Sequence, residues 1–166
     1  MKKKSALVCA SVVVCILALA PVKAKSASGN KTLKVQLNYS GAEKVDQNHK
    51  IYVLLFDANP YTSKTLIDST GEAMPPAAEE GVCHILRREA ASGKKQAVTF
   101  KGLGASSVYA MAFADKGGSY DPHGEPPSGS PMGMYGKSLD QPEQIKLEEG
   151  KTVKVILPFD DSNKIP

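Results

Sequence analysis

The feature that most restricts the fold of this chain is its periodicity. From residue 32 onward the recurrent signal is an apolar side chain at every second position within short segments, and no long stretch repeats at the 3.6-residue period of a helix. Thr32 to Tyr39 sets Leu33, Val35, Leu37 and Tyr39 on one face and Lys34, Gln36 and Asn38 on the other, the pattern of a half-buried strand. Lys50 to Ala58 and Val108 to Ala114 are apolar on both faces, as expected of strands inside a sandwich. Gln96 to Lys101, Gln144 to Leu147 and Thr152 to Phe159 also alternate, and Thr65 to Asp68 and Gly81 to Arg88 are shorter candidates. The Gly-containing link 148–151 predicts that 144–147 and 152–159 form a hairpin. About seven strands separated by turn residues predict an all-β, antiparallel sandwich of immunoglobulin type.

Two stretches interrupt the strands. Residues 69–80 contain Pro75-Pro76, which removes two backbone donors. Residues 115–136 (DKGGSYDPHGEPPSGSPMGMYG) are too rich in Gly and Pro for a regular element, and a connection that long inside a compact domain is usually functional or mobile.

The formal charge of +4 suggests an anionic partner until its position is read. Residues 1–24 open on Lys2, Lys3 and Lys4, continue through an apolar run from Ala6 to Ala20 and close on small residues, the order of a secretory signal peptide. The run is shorter than the ~20 residues that span a bilayer. Cleavage is expected after Ala24. Cys9 and Cys15 leave lipidation as a minor alternative, although neither follows the Leu-small-small pattern. Removal of the segment takes away four lysines and no acid, which leaves 17 basic and 17 acidic side chains. A charge-balanced mature chain argues against nucleic acid, which demands a basic field. Cys83 is then the one cysteine left, so no internal disulfide forms even in an oxidising compartment. The expected layout is a signal peptide over 1–24, a flexible leader over 25–31, a sandwich domain over 32–160 and a tail over 161–166. The expected location is periplasmic or secreted, with no membrane span after cleavage.

Phe100-Lys101-Gly102-Leu103 followed by Val108-Tyr109-Ala110-Met111-Ala112-Phe113-Ala114-Asp115 resembles the core of the prealbumin-like sandwich domains. That group includes carboxypeptidase regulatory-like modules and a family of uncharacterised exported bacterial proteins. Asp115 to Asp121, Ser130-Pro131 to Tyr135-Gly136 and Gly150 to Leu157 extend the similarity to residues 32–159. The resemblance implies an accessory or ligand-binding sandwich of seven or eight strands, without a defined reaction. This chain lacks the Asn residues of that family's loop.

The candidate chemistry clusters in the 115–136 loop. Asp115, Gly117, Ser119 and Asp121, with Glu125 beyond, resemble the first half of a calcium loop, although the sixth-position Gly and twelfth-position Glu are missing. His123 with Met132 and Met134, and Met111 nearby, suits Cu(I), since soft thioethers select soft ions. The plainer alternatives are a solvated turn and methionines that fill gaps in packing. Cys83-His84 pairs a thiol with a base in sequence, yet adjacent strand residues point to opposite faces, and His49 stands alone. Tyr61, Tyr120 and Tyr135 fall in loops and could form the rim of a glycan or protein site. No set of nucleophile, base and orienting group is visible. The chain ends Asp160-Asp161-Ser162-Asn163-Lys164-Ile165-Pro166, without the closing Tyr-Arg-Gly-Ser of transthyretin-type hydrolases. The expectation is an exported, non-catalytic binding or accessory module for an unknown protein or glycan of the cell envelope, with no cofactor. A metal-handling protein for Ca or Cu is the alternative, and a transthyretin-like hydrolase a weaker one.

Overall fold

The computed structural model of the chain describes residues 29–71 and 79–166. The expected signal peptide, residues 1–24 with Cys9 and Cys15, falls outside the described residues. Among those described there is no helix, and eleven strands carry the fold. They are β1 (Lys31–Tyr39), β2 (Ile51–Phe56), β3 (Thr65–Asp68), β4 (Val82–Ala91), β5 (Ala97–Leu103), β6 (Ser107–Ala114), β7 (Met132–Met134), β8 (Gly136–Ser138), β9 (Gln141–Pro142), β10 (Ile145–Lys146) and β11 (Thr152–Phe159).

The strands build a three-stranded sheet in the order β11-β1-β5, a six-stranded sheet in the order β10-β6-β2-β4-β3 with β7 also on β6, and a small β8-β9 pair. The two large sheets share one core. Leu33, Val35 and Leu37 of β1 with Phe100 of β5 and Leu157 of β11 meet Ile51, Val53 and Leu55 of β2. Ala110, Ala112 and Ala114 of β6 face the same core, their small side chains allowing close approach of the sheets. Each fully buried Leu or Ile contributes on the order of 1.5–3 kcal/mol.

The pairing departs from the sequence reading in three ways. First, β11 does not form a hairpin with residues 144–147. It lies parallel to β1 over eight register pairs from Thr32–Thr152 to Tyr39–Phe159, while β10 pairs Ile145 with Val108 of the other sheet. The link 148–151 therefore crosses between sheets. Second, the sheets are not wholly antiparallel, because β3 also runs parallel to β4. Third, the 115–136 segment does contain regular structure: β7 pairs Met132 with Phe113 and Met134 with Met111.

The segment 161–166 is bonded into the fold. The Tyr39 hydroxyl donates to the Asp161 carboxylate, whose other oxygen accepts the Ala42 N–H at 2.7 Å. Met132 N–H donates to Asn163 O at 3.0 Å, Ile165 N–H to Ser130 O at 3.0 Å and Gly129 N–H to Ile165 O at 2.9 Å. Residues 163–165 thus run as an antiparallel partner to 129–132.

Two outcomes follow from this architecture. Phe113→Ala, at a side chain with no exposure, lowers unfolding free energy by about 3–5 kcal/mol, whereas Ile156→Ala, at 63% exposure, changes it by about 0.5 kcal/mol or less; urea titration checks both. The Tyr39 hydroxyl, then the Ala42 N–H, hold the Asp161 carboxyl below its usual range. A carboxylate lowered in the folded state stabilises above its unfolded pKa of about 3.9 and loses that contribution as pH falls. Asp161→Asn therefore lowers the urea midpoint at pH 7 more than at pH 3, and equal losses at both pH values count against this contact.

Candidate functional site

The six-stranded sheet is apolar on its second face as well, and this face carries a second core. Leu54 and Phe56 of β2, Cys83 and Ile85 of β4 and Met111 and Phe113 of β6 are buried there, covered by Tyr120, Met132 and Met134 from the 115–136 segment. Phe113, Tyr52 and Tyr120 form an aromatic cluster with centroids 4.6–5.5 Å apart. Toward β3 the cover stops short and leaves an apolar pocket of about 170 Å³. Phe56, Met111 and Met132 line its floor, and Pro60, Tyr61, Leu66, Pro126, Ile165 and Pro166 line its walls.

Each wall has a local cause. Asn59 organises the turn that presents Pro60 and Tyr61: its side-chain oxygen accepts the Tyr61 N–H at 3.0 Å, and its carbonyl oxygen accepts the Ser63 hydroxyl at 2.9 Å. Such Asx turns are a preferred use of asparagine. The Tyr61 hydroxyl then reaches the Met132 sulfur at 3.6 Å. Burial at the pocket, then the charge of Asp140, push the Tyr61 hydroxyl's pKa up. Ile165 is held by its bonds to residues 129 and 130, and Met132 by β7. Gly133 is needed there, since a Cβ at that position would come within 2.4 Å of the Phe159 Cβ.

The strand beside the pocket is unusual. β3 is the outermost strand of its sheet, all four of its residues are exposed, and Leu66 and Ile67 are 53% and 41% exposed. Thr65 N–H and Ser69 N–H donate inward, to Gly81 O at 3.1 Å and Ile85 O at 3.0 Å. Strand alternation then turns the backbone groups of Leu66 and Asp68 outward. Asp68 is anchored by Arg88, at 2.8 Å. Burial acts to raise the Asp68 pKa, and the hydrogen bonds from Arg88 and Thr70 outweigh it and lower it. The Arg88 Nε is buried without a partner among the described residues.

The residues singled out in sequence are dispersed. Tyr61 lines the pocket, Tyr120 is buried in the aromatic cluster, and Tyr135 packs, partly buried, against the first core. Asp115 is 2% exposed and both its oxygens are taken, by Gly118 N–H at 3.0 Å and Tyr120 N–H at 2.9 Å. Gly118 has φ +65°, and a Cβ there would meet Asn48 O at 2.8 Å. Asp121 caps its own turn through His123 N–H at 2.9 Å. The His123 side chain is exposed, 3.9 Å from Asp68. Met132 and Met134 are buried with Met111. Among the described residues no three His, Cys, Asp or Glu side chains converge as metal ligands. The pocket's Leu66, Pro126 and Ile165 escaped the sequence reading; the available signal was Leu66-Ile67, two adjacent aliphatics in a strand too short to bury both.

Cys83 and His84 face opposite ways. Cys83 is fully buried with its thiol 3.3 Å from Ala58 O, whereas the His84 ring meets Asp57 at 2.6 Å. Asp57 also accepts the His84 N–H at 2.7 Å, so the pair ties the end of β2 to β4. No family model, curated protein or solved structure matches this chain.

Burial pushes the Cys83 thiol pKa up to about 11, and a protonated thiol is a poor nucleophile. Cys83 therefore resists maleimide at pH 7.5 in the folded chain and reacts fully in denaturant; rapid native labelling would contradict the burial.

Proposed function

We propose that this chain is an exported, non-catalytic binding module built on a prealbumin-like sandwich of immunoglobulin type, and that its partner is a protein of the cell envelope. The partner adds an extended segment along β3 and places one apolar side chain in the pocket beside Leu66. The observation that carries this reading is the coincidence of two unfinished surfaces. An edge strand with outward backbone groups and exposed aliphatics is a template for strand addition, and the pocket opens on the side of that strand where Leu66 lies. In strand addition the main chain supplies affinity and pockets for alternate side chains supply specificity. The export reading rests on residues 1–24, and the sandwich reading on the shared core of the two sheets together with the 32–159 resemblance.

The pocket's apolar lining predicts that it takes up a small aromatic probe. Titration with toluene shifts the methyl resonances of Met111 and Met132 more than that of Met134, and Leu66→Asp abolishes the effect. Uniform shifts, or none, refute the pocket. Peptides selected from a displayed library against the folded chain alternate apolar and polar residues, and they lose binding to Leu66→Pro, which removes an outward N–H without touching the bonds to β4. Selected peptides that bind Leu66→Pro equally well refute strand addition.

A further inference from the structure

The outer face of the three-stranded sheet separates charge within residues 25–166, which are balanced as a whole. β1, β5 and β11 contain Lys31, Lys34, Lys101 and Lys154 and no Asp or Glu. Residues 25–166 carry 17 basic and 17 acidic side chains, so everything outside these strands bears a net four negative charges. Lys31 turns to Glu149, at 3.4 Å. Lys34, Lys101 and Lys154 are exposed and form no ion pair among the described residues. Lys34 and Lys154 stand side by side in register on parallel strands, about 4.8 Å apart at the backbone. Lys34 is also paired with Thr99, two residues before Lys101 on the same face of β5. Like charges on neighbouring strand positions repel, and cross-strand charge pairs normally alternate in sign. Beside them Ile156, paired with Gln36, is the most exposed large apolar side chain among the described residues, at 63%. Lys34, Gln36, Lys154 and Ile156 flank a shallow groove of about 350 Å³.

We propose that this groove is a second binding surface, independent of the pocket, and that it takes an anionic polysaccharide. Charge complementarity names the sign of the ligand. A polymer is favoured because the lysines form a line across the strands, so one ligand with repeated charges can relieve the repulsion at each position. The face offers nothing to a nucleic acid beyond charge. The aromatic residues of the three strands, Tyr39, Phe100 and Phe159, all point into the core, which leaves no platform for the base stacking on which single-strand binding relies. Ile156 and the aliphatic stems of the lysines supply apolar contact for sugar rings.

The test uses the mature chain, residues 25–166, with polygalacturonate, dextran sulfate, neutral dextran and a single-stranded DNA oligonucleotide as probes. Either acidic polysaccharide binds, the tighter of the two naming carboxylate or sulfate-like charge as the preferred group, and neutral dextran does not. Affinity falls with salt on a log-log slope of about −2 to −3, as expected for three neutralised charges. Lys34→Glu combined with Lys154→Glu weakens binding by about tenfold or more, and Lys137→Glu, an exposed lysine on another element, leaves it unchanged. Lys34→Glu alone sets opposite charges side by side, so it weakens binding while the melting temperature holds or rises. The proposal is overturned by absence of binding at low salt, by equal loss in Lys137→Glu, by DNA binding as tightly as the polysaccharides, or by loss confined to variants that melt earlier. The toluene titration reads the pocket separately, so failure here leaves that reading standing.

Discussion

The parallel pairing of β1 with β11 is the constraint on which the rest of the structure hangs. It completes the three-stranded sheet that closes the first core, and it fixes where the chain emerges after Phe159. From there Asp161 reaches Tyr39 and Ala42, and residues 163–165 bond to 129–132. Those bonds hold β7 and Met132 against β6, and Ile165 becomes a wall of the pocket. A slip of β11 by one residue along β1 would turn Val155, Leu157 and Phe159 to solvent and would also displace the pocket on the far face of the other sheet.

The positions of β1 to β6, β10 and β11 were legible because apolar patterning is a local signal, whereas the short strands β7, β8 and β9 were not. Leu33, Val35, Leu37 and Tyr39 are the buried set of β1, and β3 runs from Thr65 to Asp68 as its pattern suggests. Pairing was not legible. A Gly-containing link between two alternating segments looks like a hairpin whether the second segment turns back or crosses to the other sheet, and the competing partner of β11 lies more than a hundred residues away. The apolar character of β2 and β6 on both faces did say that something must cover the second face. It did not say that the cover would be the 115–136 segment, because Gly and Pro signal irregular backbone and carry no information about burial. Tyr120 therefore reads in sequence as a rim residue and Asp115, Met132 and Met134 as metal ligands, whereas in the structure Tyr120, Met132 and Met134 cover the second core and Asp115 caps a turn.

The surface divides into regions of different chemistry. The β3 edge offers backbone groups and aliphatics next to an apolar recess, whereas the opposite sheet offers lysines without acids. Both features run against the usual economy of β proteins, which shield hydrophobic edges and alternate the sign of neighbouring charges. Arg88 of β4, beside that edge, shows the contrasting case of a charge whose terminal nitrogen is matched by Asp68 and Thr70.

The separation between β1 and β11 also bears on the order in which the molecule can assemble. Their register joins residues about 120 positions apart, and closing so long a loop delays the contacts that reward it. The six-stranded sheet draws most of its pairs from the middle of the chain and can form earlier, with its inner face bare until β1 and β11 meet over it. An apolar sheet face left bare is a surface prone to stick to its neighbours. The pairing that finishes the small sheet is thus also the one that covers the inner face of the six-stranded sheet.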